Sequence, residues 1–331
     1  MIATPAIIAL LLASLLMGGM MLYAAFFAVQ ILRGWDRSSG SDSQLALERR
    51  TYLVSSLLAL FLAFQVASLF FFIHTVDGLH ARFVGAMCAA GVLNINGFGY
   101  PTLILKLVNF LLAGLWLIIN LVDNRAYDYP LLRKKYQLLL LIAPLVLAEI
   151  VVQGAFFLGL HPDVITSCCG TLFGVGGQGI MADLAALPLL PAVVMFAAAL
   201  IASLGVGVFY VQTGRGAAFF SGVSGLTLVV LVTALISFIS LYFYEIPTHH
   251  CPFCILQQGY NFIGYPLYLA MLGGGVCGLG VGALQPFRRI PSLAAVIPSV
   301  QHRLALWALV LYLLFTIIVL LRIFSTPFTL R

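Results

Sequence analysis

Residues 138–160 read LLLLIAPLVLAEIVVQGAFFLGL, 23 positions with one charged side chain, Glu149. As a helix rising 1.5 Å per residue, such a run crosses the ~30 Å hydrocarbon core of a bilayer. Arg133, Lys134 and Lys135 precede it and His161 follows, so a basic edge and a polar edge bracket the apolar segment. A helix that is apolar on nearly all sides has lipid or protein, not water, around it.

Seven other stretches have the same character. The expected spans are 4–32, 52–73, 101–122, 138–160, 184–208, 222–244, 255–284 and 304–323. With 63% hydrophobic and 8% charged residues and a mean hydropathy of +1.12, no water-soluble domain would hide this surface. The expected fold is an all-α, polytopic membrane helix bundle of about eight transmembrane helices. The first run is read as a spanning helix and not a cleaved signal, because no basic segment precedes it and it exceeds the length of a signal core.

The net charge of +6 is not a nucleic-acid footprint, because the cations sit in short polar connections. Twelve of them (Arg33, Arg37, Arg49, Arg50, Arg125, Arg133, Lys134, Lys135, Arg215, Arg288, Arg289 and Arg303) fall on one side, against Arg82, Lys106, Arg322 and Arg331 on the other. The positive-inside bias therefore directs both termini and the cysteine-bearing connections outward, as in a bacterial inner membrane. Those outer connections hold Cys88, the adjacent pair Cys168 and Cys169, and Cys251 with Cys254. Cys277 lies roughly 35 Å deeper along its helix, among glycines that promise close helix packing, and is read as a small buried hydrophobe.

The two halves, 1–165 and 166–331, echo one another. Asn96-Gly97-Phe98-Gly99-Tyr100-Pro101 and Asn261-Phe262-Ile263-Gly264-Tyr265-Pro266 share N-x-x-G-Y-P at an offset of 165 residues. Ser68-Leu69-Phe70-Phe71-Phe72 and Ser240-Leu241-Tyr242-Phe243-Tyr244 match at an offset of 172. A parallel duplication of four helices plus four would produce both echoes, and biased composition would also produce such short matches.

The most specific segment is His249-His250-Cys251-Pro252-Phe253-Cys254-Ile255-Leu256-Gln257-Gln258. Read as the opening of the seventh span, it sets two sulfurs beside unsatisfied backbone N–H groups, which favours thiolate, with Pro252 in the first turn. On the oxidising side of a membrane, such a pair is expected to cycle between thiol and disulfide.

This segment resembles the quinone-linked membrane oxidoreductases of the DsbB type and their relatives, the vitamin K epoxide reductases, over roughly residues 138–284. The resemblance implies that Cys254 faces a quinone and that Cys251 exchanges with Cys168 and Cys169. That loop pair would in turn take electrons from an external, thioredoxin-like partner. It also nominates Gln257, Gln258, Asn261 and Glu149 as quinone contacts. Gln258 stands where the DsbB type commonly has arginine, and adjacent cysteines, with Cα atoms ~3.8 Å apart, would form only a strained disulfide. Cys88 thus remains an alternative partner for Cys168 or Cys169.

Other chemistries fit the same residues. Cys168, Cys169, His249, His250, Cys251 and Cys254, with His161 nearby, form a donor set for a soft metal ion such as mercury or copper, for binding or transport. His74, His80, His161 or His249 would serve as haem ligands if the chain were a noncatalytic subunit of a respiratory complex. Structural disulfides are the plainest reading, although a C-x-x-C bridge closes too small a loop to stabilise much.

Within the membrane, Glu149 with Gln153 one turn away marks a proton path or a quinone headgroup contact, or else a buried structural pair. Lys106 either snorkels outward or pairs with Glu149. Asp183 is expected to open and cap the fifth span. No phosphate-binding glycine loop, GxSxG elbow or paired-histidine protease motif occurs, which argues against ATP-driven transport by this chain alone.

Overall fold

A computed structural model of the chain describes residues 4–35, 41–161, 163–166 and 180–328. Among the described residues all regular structure is helical. Eight helices are long and apolar enough to cross a membrane: Pro5–Gly34, Gln44–Arg82, Gly99–Asp123, Leu132–Leu158, Leu189–Thr213, Ala217–Tyr244, Gly264–Phe287 and Val296–Ser325. They are called spans one to eight below. The protein is therefore a multi-pass helical membrane protein, and each span contains or overlaps one of the expected segments.

The chain divides into two compact units. The first comprises Met1–Thr75, Asn96–His161 and Arg289–Val296. In it span four packs against spans one and three, around a core that includes Met21, Phe27, Leu58, Trp116, Tyr136 and Ile142. Two ion pairs are buried here. Lys106 Nζ lies 2.6 Å from Glu149 Oε1, so the lysine pairs and does not snorkel. The other carboxylate oxygen of Glu149 accepts from Gln65 Nε2 and, at 2.6 Å, from Asn109 Nδ2. Lys135, expected in a polar connection, sits instead in the first turn of span four. Fully buried, it pairs with Asp123 at 2.8 Å and donates to Ser55 Oγ and Asn120 Oδ1, both at 3.0 Å. Its burial follows from these three acceptors, which together saturate its ammonium hydrogens.

Removing one partner of such a pair leaves a buried charge uncompensated, at a cost of roughly 3–5 kcal/mol, whereas removing both is much milder. Lys106→Met is therefore expected to destabilise the detergent-solubilised protein more than Lys106→Met with Glu149→Leu. Thermal unfolding of the two variants against the parent measures this, and equal losses would contradict the charge argument.

The second unit comprises Val76–Ile95, Pro162–Arg288 and Ile297–Arg331. Span six packs against spans five and seven. The approach to span seven depends on glycine: a Cβ on Gly278 would stand 2.3 Å from Ser224 Oγ, and one on Gly282 would stand 2.4 Å from Ser221 Cβ. Small residues let the backbones close in this way, as the run of glycines predicted. Cys277 lies in this glycine-rich stretch but is half-buried, not fully enclosed. Near its C-terminal end span six widens into a π-helical turn at Leu235–Ile239.

Two expected helix starts move. Asp183 lies in a separate short helix, Ile180–Ala185, while span five begins at Leu189 behind Pro188, so this carboxylate does not cap the span. Span seven begins at Gly264, not at residue 255, because Asn261 and Phe262 both adopt left-handed backbone, φ +52° and +55°, which no right-handed helix continues through. The two G-Y-P copies share one register, each supplying the first three residues of its span, Gly99–Pro101 in span three and Gly264–Pro266 in span seven. Proline is tolerated in that first turn because its missing N–H would have had no intrahelical acceptor.

Candidate functional site

The nine residues between Cys254 and Gly264 change the surroundings of the C-x-x-C. Cys254 opens only a single 3-10 turn, Cys254–Leu256, so the pair does not sit at the N-terminus of a membrane helix and the helix-dipole argument for thiolate does not apply. The segment is instead a buried loop fixed by side chains. Tyr244, the last residue of span six, donates its hydroxyl hydrogen to the Cys251 carbonyl and accepts the Ile255 N–H at 3.0 Å. Tyr268, in span seven, donates to the Pro252 carbonyl. His250 holds the loop from the other side. Its Nδ1 is 3.0 Å from the carbonyls of both Ile236 and Ser237, which only accept, so this nitrogen bears the proton. Both carbonyls belong to the π-helical turn, a wider turn of the kind that interrupts helices at functional sites.

A second loop, within Val76–Ile95, is pinned against the first. Asp77 Oδ1 accepts the Ala89 N–H at 2.9 Å and a hydrogen from Gln257 Nε2 at 3.2 Å, while Gln257 Nε2 also donates to the Met87 carbonyl at 2.8 Å. Cys88 lies between Met87 and Ala89 and is the N-cap residue of the short helix Ala89–Leu93. Gly85 (φ +85°) allows Thr166 to dock, its N–H donating to the Val84 carbonyl at 3.0 Å and its hydroxyl to the Gly91 carbonyl at 2.9 Å.

These anchors bring three sulfurs together. Cys88 Sγ is 3.5 Å from Cys251 Sγ, and the sulfurs of Cys88, Cys251 and Cys254 all lie within 4.8 Å of one another. At 3.5 Å the Cys88–Cys251 separation is well beyond the ~2.05 Å of a disulfide, so this geometry is not a Cys88–Cys251 bond. All three cysteines are buried, Cys254 slightly less completely than the other two. His249 Nε2 lies 3.3 Å from Cys254 Sγ, and its ring meets Tyr244 edge-on at 4.4 Å between centroids. Tyr260 packs against the same tyrosine at 5.1 Å. Burial and the Cys254 sulfur raise the Tyr260 phenol above its ordinary pKa, against a smaller opposing pull from Arg322, so it stays protonated.

The sequence-derived candidates distribute unevenly. Cys88, Cys251, Cys254, His249 and His250 belong to the second unit, and Cys168 and Cys169 lie outside the described residues. Gln257 is a strut between the two loops, Gln258 is exposed, and Asn261 is an exposed left-handed residue. Glu149 belongs to the first unit and to its ion pair with Lys106. His74 and His161 are exposed in the first unit, whereas His80 is half-buried in the second with Nδ1 on the Asp77 carbonyl. A cavity of about 270 Å³ lined by Trp35, Glu48, Tyr52, Tyr127 and Lys135 also belongs to the first unit, and no cysteine lines it.

Sequence reasoning missed Asp77, Tyr244 and Tyr268, which hold the loops. Asp77, near the C-terminal end of span two, carried a signal as an acidic residue beside a cysteine loop, while the two tyrosines resemble ordinary interfacial aromatics.

Tyr244→Phe removes a hydroxyl that satisfies one buried acceptor and one buried donor, a loss of about 1–3 kcal/mol for each group left bare. Faster hydrogen exchange at the Ile255 amide and faster alkylation of Cys254 are expected. An unchanged alkylation rate would mean that the tyrosine does not hold this loop.

Comparison with protein families, curated proteins and solved structures finds no match for the chain.

Proposed function

We propose that the protein is a membrane thiol–disulfide oxidoreductase whose exchange centre is Cys88, Cys251 and Cys254. The observation that carries this reading is the convergence of three sulfurs from two separate loops within 4.8 Å. Two thiols form a disulfide by losing two protons and two electrons. A third within reach can attack that bond as a thiolate, forming a new disulfide and releasing the former partner. Oxidation of Cys88 and Cys251 to a disulfide, followed by attack of Cys254 on Cys251, would leave Cys251–Cys254 oxidised and Cys88 reduced. The same steps run in reverse.

In this reading the electrons pass between an external thiol or thioredoxin-like protein and a quinone of the bilayer, following the resemblance of the CPFC segment to quinone-linked thiol oxidoreductases. The charge asymmetry of the connections supports an outward-facing centre in a bacterial inner membrane. Thr166, two residues before Cys168 in sequence, is hydrogen-bonded to the Cys88 loop, which supports a role for the adjacent pair Cys168 and Cys169 as the outer relay.

Purified protein with a soluble quinone analogue is expected to oxidise a small dithiol catalytically, and Cys277→Ala to do so equally well. Absence of quinone-dependent oxidation, with all thiols confirmed reduced at the start, would remove this reading.

A further inference from the structure

We propose that in their reduced state Cys88, Cys251 and Cys254, closed by Nε2 of His249, form a four-coordinate Zn2+ site. A tetrahedral zinc with Zn–S of about 2.3 Å sets its sulfurs about 3.8 Å apart, and with Zn–N of about 2.0 Å it sets nitrogen and sulfur about 3.5 Å apart. The protein holds Cys88 and Cys251 Sγ at 3.5 Å, all three sulfurs within 4.8 Å, and His249 Nε2 3.3 Å from Cys254 Sγ. The sulfur pair furthest apart closes by about 1 Å, and His249, whose Nε2 lies 3.3 Å from Cys254 Sγ, turns toward Cys88 and Cys251 as the fourth ligand.

The donor set selects the ion. Three thiolates and an imidazole are soft to borderline ligands, which disfavours magnesium and calcium. Charge in a buried pocket is costly, and a divalent ion offsets two of three thiolate charges where a monovalent one offsets only one. Cys3His with no open position is also the arrangement of a closed zinc site. Zn2+ replaces three S–H protons, which leave to solvent, and the product carries a single net negative charge.

The surroundings are already organised for this. Tyr244 stacks edge-on against His249 and clamps the Cys251 carbonyl, while Tyr268 clamps that of Pro252. Two of the three sulfurs come from a C-x-x-C and the third from a loop tied to it through Gln257 and Asp77. Half-buried His249 is the ligand through which an ion would enter. If the exchange reading above holds, zinc and disulfide exclude one another at this centre, and metal occupancy would block electron transfer. Binding itself does not depend on that reading.

The test is titration of the full-length, reduced, metal-stripped protein in detergent with Zn2+, and with Co2+ as the spectroscopic probe. One Zn2+ per chain is expected, as is intense thiolate-to-Co2+ charge-transfer absorption with the strong visible bands of a tetrahedral ion. Cys88→Ser is expected to weaken Zn2+ binding by at least about a hundredfold and His249→Ala by about ten- to a hundredfold, while Cys277→Ala leaves it unchanged. Because Cys88 is wholly buried and its replacement risks the fold, the partly exposed His249→Ala variant and the Co2+ spectrum carry the test independently. A Co2+ spectrum without thiolate charge transfer, or affinity unchanged in both Cys88→Ser and His249→Ala, overturns the site. Dithiol oxidation by the metal-free protein is measured in parallel. Zinc binding without that activity sinks the exchange reading alone, and activity without zinc binding sinks the zinc site alone.

Discussion

Cys88→Ser is expected to lower quinone-dependent dithiol oxidation by at least roughly a hundredfold, because it removes the covalent exchange partner that lies 3.5 Å from Cys251. Serine is close in size but cannot form the S–S bond. Its buried hydroxyl costs at most about 1–3 kcal/mol if it finds no acceptor, and thermal unfolding of Cys88→Ser beside Cys88→Ala separates that cost from the chemical loss. A Cys88→Ser protein that unfolds normally and retains full turnover would reduce the centre to Cys251 and Cys254 alone.

Gly85→Ala should have the second large effect, and for a purely steric reason. A Cβ at this position would stand 1.9 Å from the Thr166 carbonyl oxygen, and the backbone φ of +85° is itself unfavourable for alanine. The neighbouring atoms are backbone, so they cannot rotate aside, and either the turn or the Thr166 contact must give way. A loss of about 3 kcal/mol or more in the stability of this loop is expected, in the range of backbone-incompatible substitutions. It would be read as lost hydrogen-exchange protection at the Thr166 amide and faster alkylation of Cys88. Gly259→Ala is the control, since a Cβ there meets nothing within 4 Å. Equal protection in both variants would show that the Val84–Thr166 contact does not hold the loop.

The membrane spans were legible because length and hydropathy alone specify them: a run such as residues 138–160 has no stable alternative in water. Their starts were less so. The stretch 255–263, which mixes Gln257, Gln258, Gly259 and Asn261 with apolar residues, gave no sign of the left-handed pair Asn261 and Phe262, whose conformation depends on hydrogen bonds such as Phe262 N–H to the Gln257 carbonyl. The cysteine-bearing connections could be picked out from the sequence, but the meeting of Cys88 with Cys251 could not. That contact spans 163 residues and is set by Asp77, Gln257 and Tyr244, whose partners the sequence does not reveal even where, as at Asp77, the residue itself stands out. Similarly, the Lys106–Glu149 pair was one of two readings, and Lys135 was misassigned because its partner Asp123 lies across a turn that composition does not register.

The charged pairs of the first unit and the thiols of the second also illustrate different uses of burial. Lys135 has its ammonium hydrogens satisfied by acceptors, so it fixes packing. The three sulfurs are buried at smaller cost, because thiols are weak hydrogen-bonding groups and tolerate apolar surroundings. What they gain from proximity is reach: any two can bond after a movement of at most a few ångströms.

The most direct measurement is disulfide mapping by mass spectrometry in native membranes after mild oxidation, with Cys168→Ser, Cys169→Ser and Cys277→Ala in the background. The predicted result is a cross-linked peptide pair joining Cys88 to Cys251 or Cys254, formed at the expense of alkylatable Cys88. A Cys88 that stays fully alkylatable while only Cys251–Cys254 forms would contradict the three-sulfur centre.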